Sequence, residues 1–153
     1  IESVDMMNRI ILEAEGDEAY QASTTSKQNV VEPTVSDAIT LAARQVAETV
    51  NANCIVTYTT SGSTTLRAAR ERPTVPILCV TSSLSTARRM AIAWGIHSVH
   101  IDQEERFSTV VKRAVDIAET QGFASSGDHI VITAGVPMGK SGSTNVLRIE
   151  RIP

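Results

Sequence analysis

The chain has 153 residues, 42% hydrophobic and 20% charged, a composition that suits one globular domain burying roughly two-thirds of its unfolded surface rather than a disordered chain. Its formal charge of −3 gives no support for nucleic-acid binding, and no apolar run approaches the ~20 residues of a membrane span. With aromatics at 3%, the core must be built from Ala, Val, Ile and Leu, which suits helices packed closely on a parallel sheet.

In chain order, residues 1–33 come first. Val4, Met7, Ile10, Ile11 and Ala14 follow a helical period, and the polar stretch GDEAYQASTTSKQNVVEP reads as a connector with a stop at Pro33. The chain opens at Ile1 inside that pattern, with Glu2 and Asp5 where a signal peptide would be basic, and reads as a piece of something longer. A second helix is predicted over 34–51, capped by Thr34 with Asp37 in its first turn, and with Val35, Ala38, Ile39, Ala42, Val46 and Val50 on its apolar stripe. CIVTYT is a strand, TSGST a turn, and TLRAARER a short helix ended by Pro73. PILCVT is the next strand, and Ser83 or Ser85 can cap a helix LSTARRMAIAWG. HSVHID is a third strand; FSTVVKRAVDIAETQG is a helix with Phe107, Val110, Val111, Ala114 and Ala118 on one face. HIVITAG and NVLRIERI close the chain as strands.

Strands alternating with helices imply right-handed crossovers, a parallel sheet and helices on both faces. The last strand follows a loop without a helix and should run antiparallel. The expected fold class is therefore α/β, a three-layer α/β/α domain over 34–153 whose five-stranded mixed sheet has four parallel strands and an antiparallel fifth. Ligands of such folds bind outside the carboxyl ends of the parallel strands. Two polar, glycine-containing loops reach that edge, TTSGSTT and GVPMGKSGST.

In the second loop, Gly139, Lys140 and Ser141 look like the end of a P-loop, but the position five before Gly139 is Ala134 and the scaffold is strand–loop–strand. A P-loop must open a helix, whose free N–H groups hold the phosphates, so that reading fails. In the first loop, Thr59, Thr60, Ser61, Ser63, Thr64 and Thr65 set hydroxyls around Gly62 at a helix start. Exposed N–H groups and the helix dipole make such a turn an anion site, while a capped helix start with solvated hydroxyls is the other reading of the same residues. The glycines of a dinucleotide fingerprint are missing, no G-x-S-x-G nucleophile turn is present, and Lys140 has no paired acids near it for magnesium. Asp102, Glu104 and Glu105 read as a solvated face. Cys54 and Cys79 lie in apolar strands as buried thiols, and His97, His100 and His129 lack ligand spacing. The residues alone favour a binding or assembly module over an enzyme.

The same residues resemble a family. The run NCIVTYTTSGSTTLRAARERPTVPILCVTSSLSTARRMAIAWGI carries, in order, T-x-S-G-x-S/T, R-x-x-P, P-I-x-x-x-T and T-A-R-x-x. Together with GDHIVITAGVPMGKSGSTNVLRI and the opening IESVDMMNRIILEAE, it is similar to the C-terminal domain of pyruvate kinase over essentially the whole chain. The resemblance implies an allosteric effector-binding and oligomerisation domain of a cytoplasmic glycolytic enzyme that transfers phosphoryl from phosphoenolpyruvate to ADP. Magnesium and potassium would sit in a catalytic barrel whose motifs are absent here, so this chain is expected to be non-catalytic and to hold no cofactor of its own. The expected partners are a phosphorylated small-molecule effector, the barrel of the same parent chain and further copies in a homo-oligomer, with no nucleic acid and no membrane. The effector phosphate falls on Thr59, Thr60, Ser61, Gly62, Ser63 and Thr64, with Lys140 and Gly142 from the second loop. Where family members responding to fructose 1,6-bisphosphate place a Trp and an Arg, this chain has Gln103 and Val110, which turns the expectation towards a sugar or nucleotide monophosphate. A freestanding phosphate-binding regulatory domain is the alternative, and an assembly domain whose loop binds nothing is a third.

Overall fold

The computed structural model describes residues 1–20, 32–140 and 142–153. The chain divides into two compact units, Ile1–Val30 and Val31–Pro153. In the first, helix α1 (Glu2–Gly16) forms on the expected period and leaves Val4, Met7, Ile10 and Ile11 exposed. Asp17 follows it and accepts the N–H of Ala19 at 2.8 Å, a helix-starting cap. Residues 18–20 are accordingly helical, where a connector was expected. The rest of that connector, 21–31, lies outside the described residues.

In the second unit, helix α2 (Val35–Thr49) starts as expected: the Thr34 hydroxyl accepts the Asp37 N–H at 3.2 Å. Its buried face, however, differs from the apolar stripe. Ser36, Asp37, Thr40, Ala43 and Ala47 turn inward, while Val35 is 65% exposed. Polar side chains can face a core when each hydrogen bond is met, and they are: Thr40 Oγ1 donates to the Ser36 carbonyl at 3.1 Å, and Ser36 Oγ to the Gly142 carbonyl at 3.2 Å. Ala43 and Ala47 then let the helix lie close on the sheet, against Ile55 and Val131.

The remaining elements follow as β1 (Cys54–Tyr58), α3 (Ser63–Arg70), β2 (Ile77–Thr81), α4 (Leu84–Met90), β3 (Ile96–His100), α5 (Phe107–Thr120), β4 (His129–Gly135) and β5 (Thr144–Arg151). The sheet order is β3-β2-β1-β4-β5, parallel except for the antiparallel β4–β5 pair, as expected. Helix α4 stops at Met90, short of the predicted residue 95. Gly95 adopts φ +67°, which a right-handed helix cannot continue through. Its carbonyl instead takes the Ile77 N–H at 2.8 Å and leads the chain into β3. Beside it the Arg72 guanidinium stacks on Trp94, 4.2 Å from the ring centroid.

Side chains alternate across each strand, so each strand feeds two layers. Cys54, Val56, Leu78, Val80, Ile130 and Ile132 meet Val110, Val111, Ala114 and Ala118 of α5, the face expected for that helix. The other layer holds α2 and α3, with α4 joined to it by the Ser98 hydroxyl, which donates to the Ala87 carbonyl at 2.8 Å. From β1 the chain moves outward through β2 and β3, then crosses under the sheet to β4 on β1's other side. The order reverses between β1 and β4, and the crevice outside their carboxyl ends is where such sheets take ligands. The loops leaving those two strands are TTSGSTT and GVPMGKSGST.

Candidate functional site

An ion-pair cluster centred on Asp37 ties together two of the helices around the site. Asp37 is wholly buried; its carboxylate accepts Arg67 Nε at 2.7 Å, lies 3.0 Å from an Arg70 terminal nitrogen, and takes the Glu32 N–H at 2.9 Å. Burial alone would raise its pKa, but hydrogen bonds from Arg70, the Glu32 N–H and Arg67, with the charge of Arg70, outweigh burial and hold the carboxyl below its ordinary value. Both arginines belong to α3. The cluster therefore locks α3 against the start of α2 and fixes where α3's own N-terminus points.

At that N-terminus Gly62 has φ +85°, left-handed backbone that glycine adopts without steric cost. The Gly62 N–H is taken by Thr59 Oγ1 at 3.0 Å, and Ser61 Oγ donates to Ser63 Oγ at 3.1 Å. The first turn-to-turn bond of α3 is Leu66 N–H to the Gly62 carbonyl at 3.0 Å. The N–H groups of Ser63, Thr64 and Thr65 precede it, so they have no acceptor one turn back; the Ser63 N–H reaches Ser61 Oγ at 3.5 Å, and those of Thr64 and Thr65 remain as the donors that attract anions. Below, the Thr65 hydroxyl bonds Thr57 at 2.7 Å and donates to Cys79 Sγ at 3.2 Å.

The second loop closes over this turn from β4. Its ends are joined by Asn145, whose amide accepts from the Val136 N–H at 2.8 Å and donates to the Val136 carbonyl at 2.6 Å. The Val136–Pro137 peptide is cis. Gly135 sits at a bulge where an added Cβ would lie 2.6 Å from Ser143 Oγ and 2.9 Å from the Ser143 carbonyl oxygen, so no side chain fits. Ser143 Oγ donates to the Lys140 carbonyl at 2.7 Å, and the Thr64 and Thr144 hydroxyls hydrogen-bond across the gap between the loops. The cleft is lined by Thr59, Thr60, Thr64, Lys140, Gly142 and Thr144 among others, and its interior measures about 20 Å³.

The model of the pyruvate kinase alpha/beta domain matches residues 37–150. The chain belongs to this family. It is 39% identical to the pyruvate kinase of Methylorubrum extorquens over 97% of this chain and 31% of that protein. It is 33% identical to that of Clostridium acetobutylicum over 98% of this chain and 32% of the relative, and 34% identical to that of Geobacillus stearothermophilus over 99% and 26%. A crystal structure of a pyruvate kinase from Cryptosporidium parvum superposes with a TM-score of 0.72 at 28% identity, covering 80% of this chain and 24% of that one. The chain thus spans between a quarter and a third of the pyruvate kinases it matches.

Within this pyruvate kinase domain the sequence-predicted residues fall as follows. Thr59, Thr60, Thr64, Lys140 and Gly142 line one cleft, and Ser61, Gly62 and Ser63 form the turn at its edge. Gln103 reaches the second loop, its amide nitrogen 3.9 Å from where a Cβ of Gly139 would stand, whereas Val110 is buried in the α5 layer. Of the residues read as a solvated face, Asp102 and Glu105 are exposed. Glu104 is tied in: its N–H donates to the Tyr58 hydroxyl at 3.1 Å and its carboxylate meets Arg113 at 3.3 Å. Among the described residues no three His, Cys, Asp or Glu side chains come together to hold a metal ion, and no helix is long and apolar enough to cross a membrane. Cys54 and Cys79 are free, buried thiols.

Sequence reasoning missed Ser36, Thr86, Arg89 and Asn145, each of which holds a loop by its backbone. Two of them stood in the quoted motifs, Asn145 as the N of T-N-x-L/M-R and Thr86 as the T of T-A-R-x-x, but the motifs gave no sign of what either one holds.

Proposed function

We propose that this chain is the effector-binding and assembly domain of a pyruvate kinase, taking the phosphate of a small metabolite on Thr59, Thr60, Ser61, Gly62, Ser63 and Thr64, with Lys140 and Gly142 closing from the other loop. The observation that carries the reading is the meeting of the two loops at the switch point of the sheet, with the start of α3 on one side of a cleft and Lys140 on the other. A phosphate there gains N–H donors, hydroxyl donors and one cation at once. Hydrogen bonds to a charged group contribute about 1.5–3 kcal/mol each. Several made together support micromolar-range binding, roughly −8 kcal/mol.

On this reading the parent enzyme transfers phosphoryl from phosphoenolpyruvate to ADP in the cytoplasm. Magnesium and potassium act in a separate catalytic barrel, to which α1 presents its apolar face, and the domain contributes to a homo-oligomer. The chain alone does no phosphoryl transfer, because the groups that position and neutralise the phosphates lie outside it. Calorimetric titration of sugar monophosphates, AMP and inorganic sulfate into the chain and into Ser61→Asp tests the site. The carboxylate puts a like charge beside the phosphate and should abolish binding while leaving thermal unfolding unchanged. Equal affinity in both proteins would place the phosphate elsewhere, and turnover of phosphoenolpyruvate and ADP by the pure chain would overturn its non-catalytic role.

A further inference from the structure

The hydroxyl turn is held from beneath by α4, through contacts that its own hydrogen bonds do not explain. Thr86 Oγ1 donates to the carbonyl of Thr60 at 2.8 Å. The Arg89 guanidinium donates to the carbonyl of Ser61. A Cβ on Gly62 would stand 3.0 Å from both Sδ and Cε of Met90 and 3.3 Å from Cγ2 of Thr86. Thr86, Arg89 and Met90 are three and four residues apart, so they share one face of the helix, and that face meets three successive residues of the turn. The platform is itself fixed: Ser83 Oγ caps α4 through the Thr86 N–H at 3.2 Å, and Thr86 and Met90 are buried.

This fixes where the turn's donors point. A trans peptide holds its C=O and N–H in opposite directions. With the Thr60 and Ser61 carbonyls tied down to α4, the Ser61 and Gly62 N–H groups must both face away from it. Thr59 Oγ1 receives the second of these at 3.0 Å. The first is aimed away from α4, on the side where α3 begins.

We propose that Thr86 and Arg89 are the positioning residues of this turn: by anchoring two consecutive carbonyls they orient the backbone donors that meet an anion, without touching it themselves. The consequence for affinity rests on the phosphate reading above; the consequence for the turn's geometry does not. A donor held in place before binding loses less freedom when the ligand arrives, so loss of the anchor lowers affinity without unfolding the domain.

The test uses Thr86→Val, which keeps the side-chain shape and removes the donor, and Thr86→Ser, which restores it. Inorganic phosphate is titrated into each by calorimetry, and the amide resonances and hydrogen exchange of Ser61 and Gly62 are recorded without ligand. Thr86→Val should bind phosphate about tenfold more weakly at an unchanged melting temperature, as expected for loss of one well-made hydrogen bond to a charged group's cradle, and Thr86→Ser should recover it. Without ligand, both amides should shift and exchange faster in Thr86→Val alone. Unmoved amides in Thr86→Val overturn the proposal, as does wild-type phosphate affinity in that variant. If the wild type fails to bind phosphate, the effector reading falls, and the ligand-free amides still decide the positioning role. Should Thr86→Val not fold, Arg89→Met carries the same readouts from an exposed position, with the same outcomes for and against.

Discussion

Val56 and Thr57 are neighbours in β1, yet they belong to different kinds of interior. Val56 faces α5, where Leu78, Val80, Ile130 and Ile132 build a mainly apolar layer that also takes in the ring of Tyr58. Thr57 faces α2 and α3, where Thr65 hydrogen-bonds it, Cys79 and Thr133 flank it on the neighbouring strands, and Asp37 of α2 holds two arginines. The α5 layer asks of its residues only volume and shape, which tolerate exchange among similar apolar side chains. The α2–α3 layer asks for direction, because a buried polar atom must meet a particular partner at a particular angle. Both loops of the cleft are anchored in the second layer: Thr64 and Thr144 join across it, and Ser36 holds the carbonyls of Gly142 and Thr144. The sheet thus separates a layer built on apolar packing from one that packs its own small apolar clusters and in addition aims backbone groups.

The sharpest way to break this contrast is to cut volume from the apolar layer. Ile132→Ala should lower unfolding free energy by about 2–5 kcal/mol, measured by urea denaturation, because Ile132 is fully buried and its cavity has no polar group to rearrange. Phosphate affinity of the folded variant should stay within about twofold, since no loop anchor is touched.

Next in size comes Asp37→Asn. It keeps the shape and removes the charge, and should cost about 1.5–3 kcal/mol near neutral pH, towards the low end because Arg67 and Arg70 retain solvent contact. The pH dependence follows from the depressed carboxyl. The unfolded chain binds the Asp37 proton more readily than the folded one, so the wild-type advantage is complete above the ordinary carboxylate value of about 3.9 and shrinks as pH falls below it. Parallel urea curves for both proteins between neutral and acid pH measure the convergence; a difference that stays constant through the acid range would remove the charge from the account.

Smaller again, two threonines of the polar layer should respond in opposite senses. Thr65→Val leaves the Thr57 hydroxyl without its partner and should cost about 1–3 kcal/mol. Thr133 Oγ1 is buried with no hydrogen-bond partner among the described residues, so Thr133→Val should be neutral or stabilise by up to about 1 kcal/mol. Equal losses from both would show that direction is not what this layer requires. The smallest effect belongs to Cys54, whose thiol is pushed up to about 12 by burial. A maleimide at pH 8 should leave it unlabelled in the native chain and label it once urea unfolds the domain.

The apolar layer was the legible one. The period of Val110, Val111, Ala114 and Ala118, the four parallel strands and the antiparallel fifth all follow from patterns that repeat every two or 3.6 residues. The Thr34 cap was legible too, since its partner lies three residues away. In the polar layer the same method failed. The stripe caught Val46 and Val50, which pack on the sheet, but it put Val35 and Ala38 inward in place of Ser36, Asp37 and Thr40, which count as surface residues until their partners are known. Those partners are distant in sequence: Asp37 pairs with Arg67 across 30 positions and Ser36 bonds Gly142 across 106. Periodicity records local chemistry and has no access to such pairs. Of the site, the two loops could be found from their glycines and hydroxyls, but not the α4 platform beneath them. Nor could the end of α4 at Met90, five residues before Gly95 leads the chain into β3.

The Asn145 clasp has a consequence for how this domain can diversify. By gripping the backbone of Val136 it makes the segment between them a ring fastened at its base, so strain at the tip is not passed into the β4–β5 register. Lengthening such a ring by two residues adds about 0.2 kcal/mol of closure entropy, a negligible fraction of a domain's stability. The segment facing the turn can therefore gain, lose or exchange residues while the sheet beneath stays as it is. Editing that ring changes what stands opposite the turn without redesigning the fold.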